Sequence, residues 1–177
     1  MQKQMIFKYN IKNIITLEKK IPYCSLPELL KHHFLKGKRS LVVSGTHGKT
    51  TTASLLAWIL EHNKLNPSFL IGGIPNNLGQ GARFTESEWF VLEGDEYDTA
   101  FFDKRSKFMH YLPEAVVINN LEFDHADIFS NLNEIQTSFR RLINIVPRNG
   151  LLLVNGDESN ILSLSNIEHC PVRRFGL

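Results

Sequence analysis

Cysteine is scarce in this sequence, with only Cys24 and Cys170 among 177 residues. Two thiols are too few, and these lie too far apart, to form a disulfide framework or a thiolate metal site. They indicate a reduced protein of the cytoplasm. Long apolar runs are missing too, and none approaches the roughly 20 residues that a membrane span requires. The opening residues lack a continuous apolar stretch followed by a small-residue cleavage site, so no signal peptide is expected.

A large excess of either charge is also missing. The chain has 20 Lys and Arg residues against 18 Asp and Glu residues, which leaves a net charge of +2. A balance this near neutral gives no electrostatic signal for a nucleic-acid or membrane partner. The hydrophobic fraction of 42% can fill one core and excludes a disordered chain. The length suits one domain.

The pattern of apolar residues predicts the fold class. Residues 1–39 contain a short helix, 28–36, and are otherwise interpreted as a leader and a link, whereas residues 40–177 form the predicted domain. Short, continuous apolar runs predict strands at 41–43, 68–71, 89–92, 115–118 and 151–154. Helical periodicity predicts helices at 49–62 and 131–146. Strands of this kind separated by helices indicate an α/β fold with a parallel sheet and helices on both faces.

Each long helix has a predicted inward face. The helix 131–146 is expected to bury Leu132, Ile135, Phe139, Leu142 and Ile143. The helix 49–62 is expected to bury Thr52, Leu55, Leu56, Ile59 and Leu60.

A glycine-rich segment, Ser44 to Thr51, joins the first predicted strand to the first long helix. In this context glycines turn backbone N–H groups toward an anion, and the helix N-terminus adds a positive dipole. Lys49 can reach the β- and γ-phosphates of a nucleotide, and the Thr50 hydroxyl can bind Mg²⁺. The candidate phosphate-binding residues are Gly45, Thr46, His47, Gly48, Lys49, Thr50 and Thr51.

The spacing in this segment departs from the general phosphate-loop motif. That motif has a glycine five residues before Gly48, where this chain has Val43, so the sequence carries the shorter form G-x-x-G-K-T-T. The alternative is a glycine-rich turn that happens to hold a lysine. The strand before it, the helix after it and the Lys-Thr-Thr register favour a phosphate loop.

Acidic and histidine residues follow two other predicted strands. Residues 93–96 follow the strand 89–92, and residues 119–127 follow the strand 115–118. Ligands of an open parallel sheet lie at the carboxyl ends of its strands. Glu93 and His125 could therefore complete the coordination of Mg²⁺ held by nucleotide phosphates. Each taken alone could be a solvated turn or a surface histidine, and their shared placement at one edge favours the metal.

The charged segment 103–107 allows two interpretations. It can be an ordinary solvated loop. It can also grip a polyanionic substrate through Arg105, because the guanidinium fork binds carboxylates and phosphates well.

Three motifs together resemble the Mur ligase family of ATP-dependent, amide-forming enzymes. They are Gly-Thr-His-Gly-Lys-Thr-Thr at 45–51, Glu-Gly-Asp-Glu at 93–96 and Asn-Leu-Glu-Phe-Asp-His-Ala-Asp at 120–127. The resemblance implies a phosphate-loop central domain that uses ATP and Mg²⁺. It assigns catalytic roles to Lys49, Glu93 and His125, with Thr50 and Glu93 on one Mg²⁺ and His125 on a second. Arg105 and Asn120 become candidate substrate-binding residues.

The histidine at position 47 is shared by two branches of that family. One joins L-alanine to UDP-N-acetylmuramate, and the other joins the murein tripeptide L-Ala-γ-D-Glu-meso-diaminopimelate to it during peptidoglycan recycling. The segments 96–108 and 119–129 resemble the second branch. The implied reaction activates the sugar carboxylate as an acyl phosphate, which the peptide amine then attacks. Two alternatives stay open: the L-alanine ligase, and a nucleotide-binding remnant without ligase activity.

Members of the family have a UDP-binding domain before the central domain and a closing domain after it. The resemblance covers most of the central domain, whose end is expected to be incomplete here. If the gene is split, the other ligase domains are expected as partners. We expect the 177 residues alone to form no product, because holding the reactants together contributes roughly 7–11 kcal/mol to such reactions. Mass spectrometry for a UDP-linked product tests this.

Overall fold

The computed structural model describes residues 11–123 and 129–176. Its strands are β1 Arg39–Ser44, β2 Ser68–Leu70, β3 Ala82–Arg83, β4 Trp89–Gly94, β5 Asp98–Ala100, β6 Asp103–Ser106, β7 Pro113–Ile118, β8 Leu151–Asn155 and β9 Val172–Phe175. Seven of them form one sheet in the order β3-β2-β4-β1-β7-β8-β9, and β5 pairs with β6 in a separate hairpin. All neighbours in the large sheet are parallel except β2 and β3. The predicted parallel sheet is confirmed.

The helices are α1 Ile11–Glu18, α2 Leu26–Leu30, α3 Lys49–His62, α4 Leu132–Asn144 and α5 Ser159–Leu162. A π-helical turn, Lys31–Leu35, continues α2, and a 3₁₀ turn, Lys107–His110, precedes β7. Ser25 and Glu28 cap the start of α2 reciprocally, each side chain binding the other residue's backbone N–H. No helix in the described ranges is long and apolar enough to cross a membrane.

The sheet separates two apolar cores. Alternate residues of a strand point to opposite faces, so Val42 packs in the larger core with α4 whereas Val43 packs in the smaller core with α3. Phe139 of α4 and Phe69 of β2 are fully buried on their respective sides. Both faces of the sheet are therefore covered, as the continuous apolar strands predicted.

The buried face of α3 matches the predicted one only in part, since Leu60 is buried and Thr52 and Leu56 are half-buried. Ala53, Ala57 and Leu60 are buried, whereas Leu55 and Ile59 are 57% and 47% exposed. The two alanines pack in the smaller core with Val43, because their small side chains fit against the sheet. By contrast α4 buries Ile135, Phe139, Leu142 and Ile143, as predicted, with Leu132 half-buried beside them.

The other differences from prediction concern secondary structure in the N-terminal region and in short or polar segments. Outside the helix 28–36, residues 1–39 were interpreted only as a leader and a link, but Ile11–Glu18 is helical. Most of the charged segment 103–107, interpreted as a loop, forms β6 at Asp103–Ser106, and Lys107 begins the 3₁₀ turn. Thr99 Oγ1 of β5 donates a 2.8 Å hydrogen bond to the Arg105 carbonyl. A hairpin of polar residues carries no apolar periodicity, so pattern reasoning missed it. It also missed β3, α5 and β9, which are each two to four residues long.

Candidate nucleotide-binding site

The connection between β1 and α3 turns sharply at two glycines. Gly45 has φ +135° and Gly48 has φ +76°, and both lie in a region that side chains disfavour. A Cβ atom on Gly45 would also lie 3.1 Å from the backbone N and O of Asn120. Glycine is therefore required here, both for the turn and because the backbone that follows β7 packs against Gly45.

The segment after β7 holds this loop in place. Asn120 accepts hydrogen bonds from the Thr46 N–H at its carbonyl, at 3.1 Å, and from the His47 N–H at its side-chain Oδ1, at 2.7 Å. Thr46 Oγ1 accepts a bond of 2.9 Å from the Glu122 N–H. Asn119 Nδ2 donates to Thr52 Oγ1 at 3.0 Å, which ties the segment to the first turn of α3. The loop is thus preformed.

Lys49 lies at the centre of the loop, and its ammonium is well enclosed. The Nζ atom donates to the carbonyl oxygens of Gly45 at 2.8 Å and Thr46 at 3.2 Å. It also lies 3.0 Å from each carboxylate oxygen of Glu96. The Lys49 side chain is 13% exposed and the Glu96 side chain is 2% exposed. A positive charge is therefore fixed at the point where α3 begins.

Thr50 and Glu93 meet beside this lysine. The Thr50 hydroxyl donates to Glu93 Oε1 at 2.9 Å, and Glu93 Oε2 accepts a 2.7 Å bond from the Gly72 N–H. A hydroxyl and a carboxylate oxygen suit Mg²⁺, which takes a few protein oxygens and completes its shell with phosphates and water. In the described ranges no three His, Cys, Asp or Glu side chains gather as an all-protein metal cage. His125 lies outside the described residues.

The two predicted substrate-binding residues, Arg105 and Asn120, both bind neighbouring groups of this chain. Asn120 holds the loop between β1 and α3, as described above. Arg105 forms a fork on Asp103, with Nε 2.9 Å from Oδ1 and an Nη atom 2.7 Å from Oδ2. This guanidinium lowers the pKa of the Asp103 carboxyl well below its usual range, and His110 Nε2 lies 3.0 Å from the same carboxyl. Substrate binding by Arg105 and Asn120 stays a prediction.

Two residues of the site were not singled out from the sequence. Glu96 was seen only as part of an acidic turn, yet it is 3% exposed and pairs with Lys49. Asn119 was seen only as part of a polar segment, yet it joins β7 to the loop and to α3. The signal for both was their position just past the carboxyl ends of strands that flank β1, where side chains converge.

Comparison with known proteins places this geometry in a family. Residues 43–177 match the Mur ligase middle domain. The chain belongs to this family. The parallel sheet is therefore that of a Mur ligase middle domain, as the resemblance of its motifs implied.

Two curated relatives bear the same name, UDP-N-acetylmuramate–L-alanyl-γ-D-glutamyl-meso-2,6-diaminoheptandioate ligase. The Haemophilus influenzae protein is 51% identical over 144 residues, which are 81% of this chain and 32% of that protein. The Escherichia coli protein is 52% identical over 145 residues, 82% of this chain and 32% of that protein. A UDP-N-acetylmuramate–L-alanine ligase from Acetivibrio thermocellus is 38% identical over 157 residues, which cover 89% and 32% of the two chains. The chain spans about a third of the length of these relatives.

Solved structures of similarly named ligases resemble the fold of this chain. The UDP-N-acetylmuramate:L-alanyl-γ-D-glutamyl-meso-diaminopimelate ligase of Neisseria meningitidis superposes with a TM-score of 0.86 at 49% identity, covering 91% of this chain and 53% of that one. A murein peptide ligase from Psychrobacter arcticus gives 0.77 at 32% identity, covering 94% and 38%. The MurF ligase of Thermotoga maritima in complex with ADP gives 0.65 at 20% identity, covering 85% and 36%, which shows the shared fold.

Proposed function

We propose that this chain is the ATP-binding part of a ligase that joins a murein tripeptide to UDP-N-acetylmuramate. The observation that carries the proposal is the preformed loop from Gly45 to Thr51 with Lys49 at its centre. Backbone N–H groups in the first turn of α3 have no partner within the helix, and together with the lysine they form a seat for phosphates.

The side chains around the loop have separate tasks in this proposal. Lys49 neutralises charge on the β- and γ-phosphates, and Asn120 keeps the loop in the shape that receives them. Thr50 and Glu93 would hold Mg²⁺, which neutralises further phosphate charge when bound. His125 remains a candidate ligand for a second ion. Both cysteines are free thiols, which supports the expected cytoplasmic location.

We propose the tripeptide and not L-alanine as the substrate, because the relatives named for the tripeptide are more similar to this chain. The two named for the tripeptide are 51% and 52% identical to this chain. The six L-alanine ligases compared are 33–38% identical over similar lengths. Residues 96–108 and 119–129, whose sequences resemble the tripeptide branch, agree with this preference.

Isothermal titration calorimetry tests the nucleotide part of the proposal. The 177-residue chain should bind ATP in the presence of Mg²⁺, and Lys49→Ala should abolish the heat of binding. Lys36→Ala serves as the matched control, because Lys36 is an exposed lysine outside the loop, at the end of the π-helical turn that precedes β1. Equal binding by wild type and Lys49→Ala would overturn the assignment of the phosphate loop.

A chimeric enzyme tests the ligase part. The aligned segment of this chain replaces the matching 145 residues of the Escherichia coli ligase, to which it is 52% identical. The chimera should form the UDP-linked tripeptide product, and the same chimera with Lys49→Ala should not. The same segment placed in the Acetivibrio thermocellus L-alanine ligase should give a chimera with less ligase activity than the Escherichia coli chimera. A folded, ATP-binding chimera that ligates only L-alanine would overturn the tripeptide assignment.

A further inference from the structure

The ammonium of Lys49 has all of its donors engaged by oxygens of this chain. An ammonium group carries three N–H donors and no acceptor. The oxygens within 3.2 Å of Nζ are the carbonyls of Gly45 and Thr46 and both carboxylate oxygens of Glu96. A phosphate oxygen that binds this ammonium must therefore take the place of one of these oxygens.

Glu96 is the partner that a phosphate can least easily replace. Its carboxylate is charged and its side chain is 2% exposed, whereas the carbonyls of Gly45 and Thr46 are neutral. Solvent and salt screen an ion pair this enclosed far less than a surface pair. We therefore expect a phosphate to replace a carbonyl oxygen, while the negative charge of Glu96 stays beside the ammonium.

The side chains around the loop carry more negative than positive charge, among the residues that the structure describes. Glu96 offsets the charge of Lys49, and the carboxylate of Glu93 adds a second negative charge beside them. His47 and Glu122 lie 4.0 Å apart and are each 57% exposed at the side chain, so solvent screens their contribution. The two enclosed carboxylates and one ammonium leave an excess of one negative charge.

This excess opposes the binding of a phosphate that brings no cation with it. The N–H groups at the start of α3 attract an anion, but with a partial charge only. Mg²⁺ held by Thr50 and Glu93 would add two positive charges and so reverse the sign of the excess. Without the carboxylate of Glu96, the same side chains would already be neutral in the absence of Mg²⁺.

We infer that Glu96 makes phosphate binding by this loop depend on a divalent cation. The inference rests on the proposed function and adds to it a residue that selects metal-bound over metal-free nucleotide. Glu96 acts through Lys49, which it contacts, and through its own charge. It is therefore a specificity-determining residue and not a catalytic one.

Isothermal titration calorimetry of the 177-residue chain with ATP, once with Mg²⁺ and once with EDTA, tests this inference. Wild type should bind ATP at least about tenfold more tightly with Mg²⁺. In Glu96→Gln, binding in EDTA should become about tenfold tighter and binding with Mg²⁺ should change less, so the ratio of the two affinities falls. Glu86→Gln is the matched control and should keep the wild-type ratio, because Glu86 is exposed and precedes β4, at the opposite end of that strand from Glu93.

A shorter acid at the same position keeps the test decisive if Glu96→Gln does not fold. Glu96→Asp retains the negative charge, so its ratio should stay closer to that of wild type than to one. Circular dichroism checks that each variant is folded. Loss of the Mg²⁺ preference in a folded Glu96→Asp would overturn the argument from charge.

The outcomes separate this inference from the proposed function. Equal weakening of ATP binding with and without Mg²⁺ in Glu96→Gln would mean that Glu96 only supports the fold. That result, or wild-type binding that is equally tight in EDTA, overturns the inference and leaves the phosphate loop in place. If wild type with native circular dichroism binds no ATP even with Mg²⁺, the proposed function is wrong and the inference fails with it.

Discussion

Replacing Lys49 with alanine should weaken the fold as well as nucleotide binding. Glu96 is 2% exposed at its side chain, and both of its carboxylate oxygens lie 3.0 Å from the Lys49 ammonium. Removing one partner of a buried ion pair costs about 3–5 kcal/mol, because the remaining charge stays buried. Lys49 keeps 13% exposure, so water can reach the vacated position, and we expect a loss of about 3 kcal/mol.

Urea unfolding followed by circular dichroism measures this loss. A domain of this size has an unfolding free energy of about 5–15 kcal/mol, so the variant should remain folded and keep its spectrum in water. With a denaturant slope of about 2 kcal/mol per molar urea, the midpoint should fall by about 1.5 M. Lys36→Ala, at an exposed position, should leave the midpoint unchanged.

The double variant Lys49→Ala/Glu96→Gln separates stability from binding. Since it removes the buried charge together with its partner, it should recover at least about 1 kcal/mol of the loss. It should still fail to bind ATP in calorimetry, because the phosphate-binding ammonium is absent. A Lys49→Ala midpoint equal to that of wild type would refute the argument from burial. Recovery of ATP binding in the double variant would refute the role of Lys49.

Three further substitutions have defined outcomes. Glu93→Gln should weaken ATP binding in calorimetry with Mg²⁺ far more than without it, and equal losses would mean that Glu93 supports the fold. Gly94→Ala would place a Cβ atom 2.7 Å from Val42 Cγ1, so the urea midpoint should reveal a loss of about 1–3 kcal/mol. Arg105 lowers the pKa of Asp103, so this carboxyl stabilises the fold above its unfolded pKa of about 3.9 and loses that effect as the pH falls through the lowered value. Asp103→Asn should therefore lower the urea midpoint at about pH 6. Between about pH 6 and about pH 3 the urea midpoint of the variant should fall less than that of wild type. An equal fall in the two proteins would contradict this reasoning.

The sequence alone determined the strands and the glycine-rich turn that build the candidate site. The apolar runs of β1, β4, β7 and β8 predicted buried parallel strands, and the structure has them with small changes at their ends. The glycines and the Lys-Thr-Thr register predicted the turn into α3. These features are local, because backbone freedom at glycine, helix capping and apolar periodicity act over a few residues.

Only the tertiary structure decided which groups meet. Glu96 pairs with Lys49 across 47 residues, and Asn120 holds His47 across 73, because β4 and β7 both flank β1 in the sheet. Leu55, which was expected in the core, is 57% exposed because α3 packs on the sheet through Ala53 and Ala57. The type of a residue determines which bonds its side chain can make. The order of strands in the sheet selects the partner, since it alone sets which chain ends lie within hydrogen-bond reach.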